Sequence, residues 1–155
     1  MKEVIVKANA ETIRPIKTVG VIIMQDNHIL AVRHKAGTTA GEGVFGFPGG
    51  RLESGESEEE AAIRELKEET GLVTKIEDLI EFPGNYVKAK LNFNNGHPQQ
   101  ATMKVFICAR FEGELLKDAL EVTPEWVSLQ LINRGLYDTL PNVLQAIHNA
   151  SSFLS

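Results

Sequence analysis

One stretch of backbone punctuation and charge constrains this chain more than any other. Pro48-Gly49-Gly50 breaks the backbone, Ser57 and Glu60 are spaced as a capping box, and Gly71 supplies a stop. Together they predict a helix from Glu58 to about Thr70. Between Arg51 and Glu69 stand eight glutamates (53, 56, 58, 59, 60, 65, 68 and 69) against three bases, Arg51, Arg64 and Lys67. That surplus of five negative charges equals the net charge of the entire 155-residue chain. The imbalance therefore lies in one helix and its approach.

The rest of the composition is that of an ordinary globular domain, 43% hydrophobic and 24% charged. The length predicts a single domain over residues 1–155, whose core covers about two-thirds of the unfolded surface without a staple. No apolar run approaches the roughly 20 residues of a membrane span. Met1-Lys2-Glu3-Val4-Ile5-Val6-Lys7 lacks the apolar centre of a signal peptide, so the expected address is the cytoplasm. Cys108 is the only cysteine, which excludes an internal disulfide and a thiolate metal cluster. No broad basic face is evident for duplex nucleic acid.

Period-2 patterning and turn signals dominate the first fifty residues. Strands are predicted over Lys17 to Met24 and Ile29 to Arg33 around a Gln25-Asp26-Asn27 turn, with a short apolar piece at Val44 to Phe47 before the break. Further strands are expected at Leu72–Phe82, Tyr86–Phe93 and Ala101–Phe111, with Asn95-Gly96 as a hairpin turn. Pro141 suits the first turn of a closing helix that reaches about Ala150. Strands, helix, strands, helix read as α+β, with helices packed on a mixed sheet. Gly41-Glu42-Gly43-Val44-Phe45-Gly46 fits the dinucleotide fingerprint GxGxxG, but Phe47-Pro48-Gly49-Gly50 follows where that fingerprint needs a helix. The four histidines have no metal-ligand spacing, and Cys108 on a strand pattern reads as buried packing.

Glu65, Glu68 and Glu69 stand at i, i+3 and i+4, so the helix stacks three carboxylates on one face. Such crowding raises a pKa unless a cation neutralises it, and hard divalent cations take oxygen ligands. On the helix alone, a solvated acidic face is the commoner meaning of such a run.

The wider spacing decides otherwise. Gly50, five residues, Glu56, seven residues, then Arg64-Glu65-Leu66-Lys67-Glu68-Glu69-Thr70-Gly71-Leu72 fits the pattern Gx5Ex7REUxEExGU, U being aliphatic, at every specified position. At average residue frequencies the chance coincidence is on the order of 10⁻⁹. The chain thus resembles the Nudix (MutT-like) hydrolase family, in full over this box and more loosely from Thr18 to Ala150. The resemblance implies an α/β/α sandwich around a mixed sheet, with the box as loop–helix–loop. It also implies hydrolysis of a nucleoside diphosphate linked to a further group, with Mg²⁺ or Mn²⁺.

By the same resemblance, Glu65, Glu68 and Glu69 are carboxylate ligands of the metal, the Gly49 carbonyl is a further ligand, and Arg64 orients the cluster. Glu56 matches the box without a fixed role. In this family the general base comes from the box or from a later loop carboxylate; of the latter, Glu121, before the Trp126-Val127 strand start, is the expected base, with Glu125 its rival. Arg33, with His34 and Lys35 beside it, occupies a place where relatives bind phosphate. Asn142 follows Pro141 where some relatives read a purine edge; a helix-start asparagine is the plainer alternative. Tyr86 and Phe93 could stack on a base, although alternating strand aromatics more often serve the core.

The expected enzyme is a monomer or homodimer cleaving a nucleoside triphosphate, normal or oxidised, to monophosphate and pyrophosphate. A nucleotide-sugar or dinucleotide pyrophosphatase is the near alternative. A non-catalytic nucleotide sensor is the distant one, because such modules lose box glutamates that this chain keeps.

Overall fold

Residues 16–22, IKTVGVI, end in four successive buried positions, as a strand covered on both faces requires. In the computed structural model, which describes residues 16–37, 42–92, 98–135, 139 and 143–155, they form strand β1 (Ile16–Ile22) at the centre of the molecule. The chain continues through β2 (Met24–Gln25), β3 (His28–His34), β4 (Phe45–Gly46), β5 (Gly49–Arg51) and helix α1 (Glu58–Thr70). A 3₁₀ turn (Ile76–Asp78) leads to β6 (Leu79–Ile80), β7 (Tyr86–Asn92), β8 (Pro98–Cys108) and β9 (Val122–Ser128), followed by helices α2 (Leu129–Asn133) and α3 (Val143–Leu154).

The architecture is α+β, as expected, but the strands form two sheets rather than one. In the first, β1 lies parallel to β8 and antiparallel to β5, while β6 and β7 pair with the far side of β8. In the second, β3 pairs with β2, β4 and β9, all antiparallel. The strand expected over Lys17 to Met24 therefore divides at Ile23, where the chain passes from one sheet to the other. Asp26 and Asn27 both take positive φ, 51° and 61°, the geometry of a two-residue hairpin that short polar side chains tolerate.

One core, including Val19, Val21, Leu30, Ala61, Leu66 and Phe106, lies under α1. Cys108 belongs to it, 5% exposed, with its thiol hydrogen bonded to the Arg110 carbonyl and to Thr74. The other core joins the two sheets to α2 and α3 through residues such as Ile22, Phe45, Phe47, Val105 and Ile147.

Helix α1 has the predicted bounds. Ser57 accepts the Glu60 N–H at 3.1 Å, Glu60 accepts the Ser57 N–H, and Gly71 closes the helix at φ 81° with its N–H on the Lys67 carbonyl. Elsewhere the expectations need correction. Leu72–Phe82 is not one strand: Val73 and Ile76 are exposed, a 3₁₀ turn intervenes, and only Leu79–Ile80 reaches the sheet edge. Gly49-Gly50 is not only a break but part of β5. The closing helix runs beyond Ala150 to Leu154, and α2 was not foreseen. The Asn95-Gly96 turn lies outside the described residues, with Asn92 paired to Pro98 on either side of it.

Candidate active site

Two glycines let the box loop approach β1. Gly49 pairs with Gly20, and a Cβ on Gly49 would stand 2.0 Å from the Val19 carbonyl oxygen. A Cβ on Gly50 would stand 2.5 Å from Glu65 Oε1, so the Glu65 carboxylate occupies the hollow that this missing side chain leaves.

Arg64 ties the loop to the helix. Its Nε and Nη2 donate to the two Glu56 oxygens at 2.7 and 2.9 Å, and Nη2 also donates to the Arg51 carbonyl at 3.1 Å. Its Nη1 reaches Glu65 Oε1 at 3.0 Å and Glu68 Oε2 at 3.3 Å. Glu56, which the sequence left without a role, is thus the bidentate partner of Arg64 and also accepts the Glu53 N–H at 2.9 Å. These bonds, led by that from Arg64, hold the Glu56 carboxyl down at about 2. The carboxylates in turn hold the guanidinium pKa above its ordinary value.

The remaining acids are shifted the other way. Burial pushes the Glu65 carboxyl up even though Arg64 favours its charge. Glu69 accepts the Gly49 N–H at 2.7 Å, yet burial pushes its carboxyl up to about 8, with the charges of Glu65, Glu121 and Glu68 adding to the effect. Glu68 is the exposed member, its side chain 58% accessible.

An oxygen-only donor set with two acids strained upward by burial suits a hard divalent cation. Among the described residues, no three acids converge into a ready-made cage. Mg²⁺ requires less, since it takes one or two carboxylates and completes its shell with water and substrate phosphate.

The other expected site residues lie along the β3–β9 edge. Glu121 is exposed immediately before β9, and its charge is felt at Glu69. Glu125, the rival base, lies within β9 and pairs at 3.0 Å with Arg33, whose guanidinium also covers the Phe45 ring at 4.9 Å. Phe45 also lines a narrow apolar crevice with Phe47, Ile132, Thr139 and Val143. Asn142 and Phe93 lie outside the described residues. Tyr86 donates its hydroxyl to Glu58 and carries the Lys104 ammonium over its ring. Sequence reading missed Lys104, a buried cation also paired with Glu81 and Glu58; its position in a strand pattern gave no signal of those partners.

Fold and site together define an α+β domain built around a glycine loop and a carboxylate-bearing helix. The chain belongs to the Nudix hydrolase family, whose NUDIX domain matches residues 14–146. It is 34% identical over 116 residues to the 8-oxo-dGTP diphosphatase of Escherichia coli (strain K12), covering 74% of this chain and 81% of that enzyme. It is 44% identical over 68 residues to the ADP-ribose pyrophosphatase of Methanocaldococcus jannaschii, spanning 44% of this chain but only 39% of that protein. Its fold matches the solution structure of the E. coli ORF135 protein with a TM-score of 0.67 at 23% identity, over 94% of each chain. No described helix is long and apolar enough to cross a membrane.

Proposed function

We propose that this chain is a pyrophosphohydrolase that cleaves a nucleoside triphosphate, normal or oxidised, to the monophosphate and pyrophosphate. The observation that carries this reading is the set of box carboxylates held in place by glycine hollows and by Arg64, with Glu65 and Glu69 both pushed up by burial. Protein that serves only as a solvated acidic surface has no need to bury these groups.

In this reading Glu65, Glu68, Glu69 and the Gly49 carbonyl hold Mg²⁺ or Mn²⁺. When bound, that cation screens the diphosphate charge and makes water more acidic. Arg64 fixes the orientation of Glu65 and Glu68 through bonds that Glu56 anchors from the other side. Glu121 takes the proton of the attacking water, Arg33 meets a substrate phosphate, and Asn142 reads the base edge. Water adds to one phosphorus, the anhydride P–O bond breaks, and pyrophosphate leaves.

A nucleotide-sugar substrate is the second reading, favoured by the likeness to the archaeal ADP-ribose pyrophosphatase. The longer overlap with the oxidised-nucleotide enzyme supports the triphosphate. The cytoplasm and a monomer or homodimer belong to the same proposal. The test is product release from purified protein with Mg²⁺ over a panel of dGTP, 8-oxo-dGTP, ADP-ribose, a nucleotide sugar and a dinucleoside polyphosphate. Fastest turnover of a triphosphate, with pyrophosphate as product, supports the first reading. Fastest turnover of ADP-ribose replaces it with the second, and no turnover of any member overturns both.

A further inference from the structure

Lys35, the residue after β3, stands two residues from Arg33 in sequence, but its bonds go elsewhere. Its own N–H donates to the Glu121 carbonyl at 3.0 Å. Its ammonium donates to Asp118 Oδ2 at 2.8 Å and to the Ala119 carbonyl at 2.6 Å. Asp118 in turn accepts the Thr123 hydroxyl at 3.0 Å, and the Ala119 N–H donates to the Val122 carbonyl. The residue after β3 therefore pins the main chain on both sides of Leu120, which is turned outward and 92% exposed.

An ion pair as exposed as Lys35–Asp118, with 35% and 60% of the side chains accessible, adds little to stability. Its effect is geometric: three bonds from one residue fix the turn from which the Glu121 side chain projects. Glu121 immediately precedes β9, which packs against the box helix α1. Positioning at this scale matters, since a 1 Å displacement of a working group costs about a hundredfold in rate.

We infer that Lys35 is a positioning residue, a latch that holds the 118–122 turn through Asp118 and the Ala119 carbonyl and so orients Glu121 at the start of β9. The inference rests on the reading of Glu121 as the base. It differs from a phosphate-binding role for Lys35, which would act on substrate directly.

The experiment measures kcat and KM of the full chain with Mg²⁺ and 8-oxo-dGTP, or ADP-ribose where the panel ranks it first. The variants are Lys35→Met, Lys35→Arg, Asp118→Asn, Glu121→Gln and the Lys35→Met/Glu121→Gln double variant. Thermal melts check folding, and Asp118→Asn carries the test if Lys35→Met does not fold. Lys35→Met is expected to lower kcat by at least about tenfold with KM within about twofold, because a misplaced group weakens the transition state alone. Asp118→Asn should act in the same direction, and Lys35→Arg should restore most of the rate. In the Glu121→Gln background, Lys35→Met should add less than about a twofold loss, as expected for two residues acting as one unit. A raised KM at constant kcat, losses that multiply in the double variant, or a silent Lys35→Met beside a severe Glu121→Gln would each overturn the latch while leaving the base in place. A silent Glu121→Gln would overturn the base and the latch together.

Discussion

The acidic helix and the β3–β9 edge use charge in contrasting ways. Around α1 the partners are near neighbours in sequence: Arg64 and Glu56 are eight residues apart, Gly49 and Glu69 twenty. Their side chains are largely covered, Glu56 at 12% and Glu65 at 14% accessible, and the central bond is bidentate. At the β3–β9 edge, Lys35 meets Asp118 and Arg33 meets Glu125 across 83 and 92 residues, through side chains 34–60% accessible. The covered cluster holds its geometry against disturbance, as paired charges in low dielectric do. An isolated exposed pair such as Arg33–Glu125 can exchange partners at small cost, which in the proposed reading suits Arg33 to meeting substrate. In the proposed reading, the cation-holding acids lie in the covered region and the Arg33 phosphate contact lies in the exposed one.

Four experiments test that contrast, in order of falling effect. Chelation comes first: excess EDTA should abolish hydrolysis and Mg²⁺ or Mn²⁺ should restore it, because carboxylates alone neither screen phosphate nor acidify water. Full turnover in EDTA would break the comparison at its root.

Stability against pH follows, measured by urea melts in EDTA. Folded Glu69 titrates at about 8, whereas unfolded it takes the ordinary value of 4.5. Between those values the unfolded chain has released a proton that the folded chain retains, so stability should fall as pH rises from about 4.5 to 8, by a few kcal/mol in all. Glu69→Gln should flatten this slope and make the chelated protein at pH 7 more stable than the parent. Mg²⁺ should raise the parent's melting temperature by mass action and raise that of Glu69→Gln less. An unchanged slope in the variant would assign the pH dependence to other groups.

Third, Glu68→Gln and Glu69→Gln should each lower kcat by about a hundredfold or more, the scale for losing a positioned electrostatic group. Glu59→Gln, at an unspecified box position, should change it little. Comparable losses at all three would mean that overall acidity matters and ligand geometry does not. The smallest effect is expected at Arg33: Arg33→Ala should raise KM several-fold at nearly constant kcat and shift stability by less than about 1 kcal/mol. A collapse of kcat there would erase the division between the two regions.

The same division explains what the sequence made legible. Helix α1, its caps and the shared face of Glu65, Glu68 and Glu69 follow from spacings shorter than one helix, so they could be read directly. The hairpin at Asp26-Asn27 was equally local. The break of one long strand at Ile23 was not, because the apolar run Val21–Met24 passes through it and only the second sheet ends it. Leu72–Phe82 misled for the opposite reason: its apolar residues suggested a strand, yet Val73 and Ile76 face solvent. Glu56 was visible as a box position, but its work on Arg64 appears only when the loop folds back. Lys35, Lys104 and the Arg33–Glu125 pair depend on which strands become neighbours, and no local pattern carries that information.

Cys108 offers a use for the core that shelters it. Because the chain has no other cysteine, any thiol-directed reagent has a single target. That target is buried beneath α1, and burial holds its thiol pKa above the ordinary value, so the reactive thiolate is scarce while the domain is closed. Alkylation should therefore proceed at the pace at which the helix lifts from the sheet, making the rate of Cys108 labelling a built-in clock for that opening. If substrate and cation bind at the box helix as proposed, they should slow the clock, and it would keep time even in variants that turn over nothing.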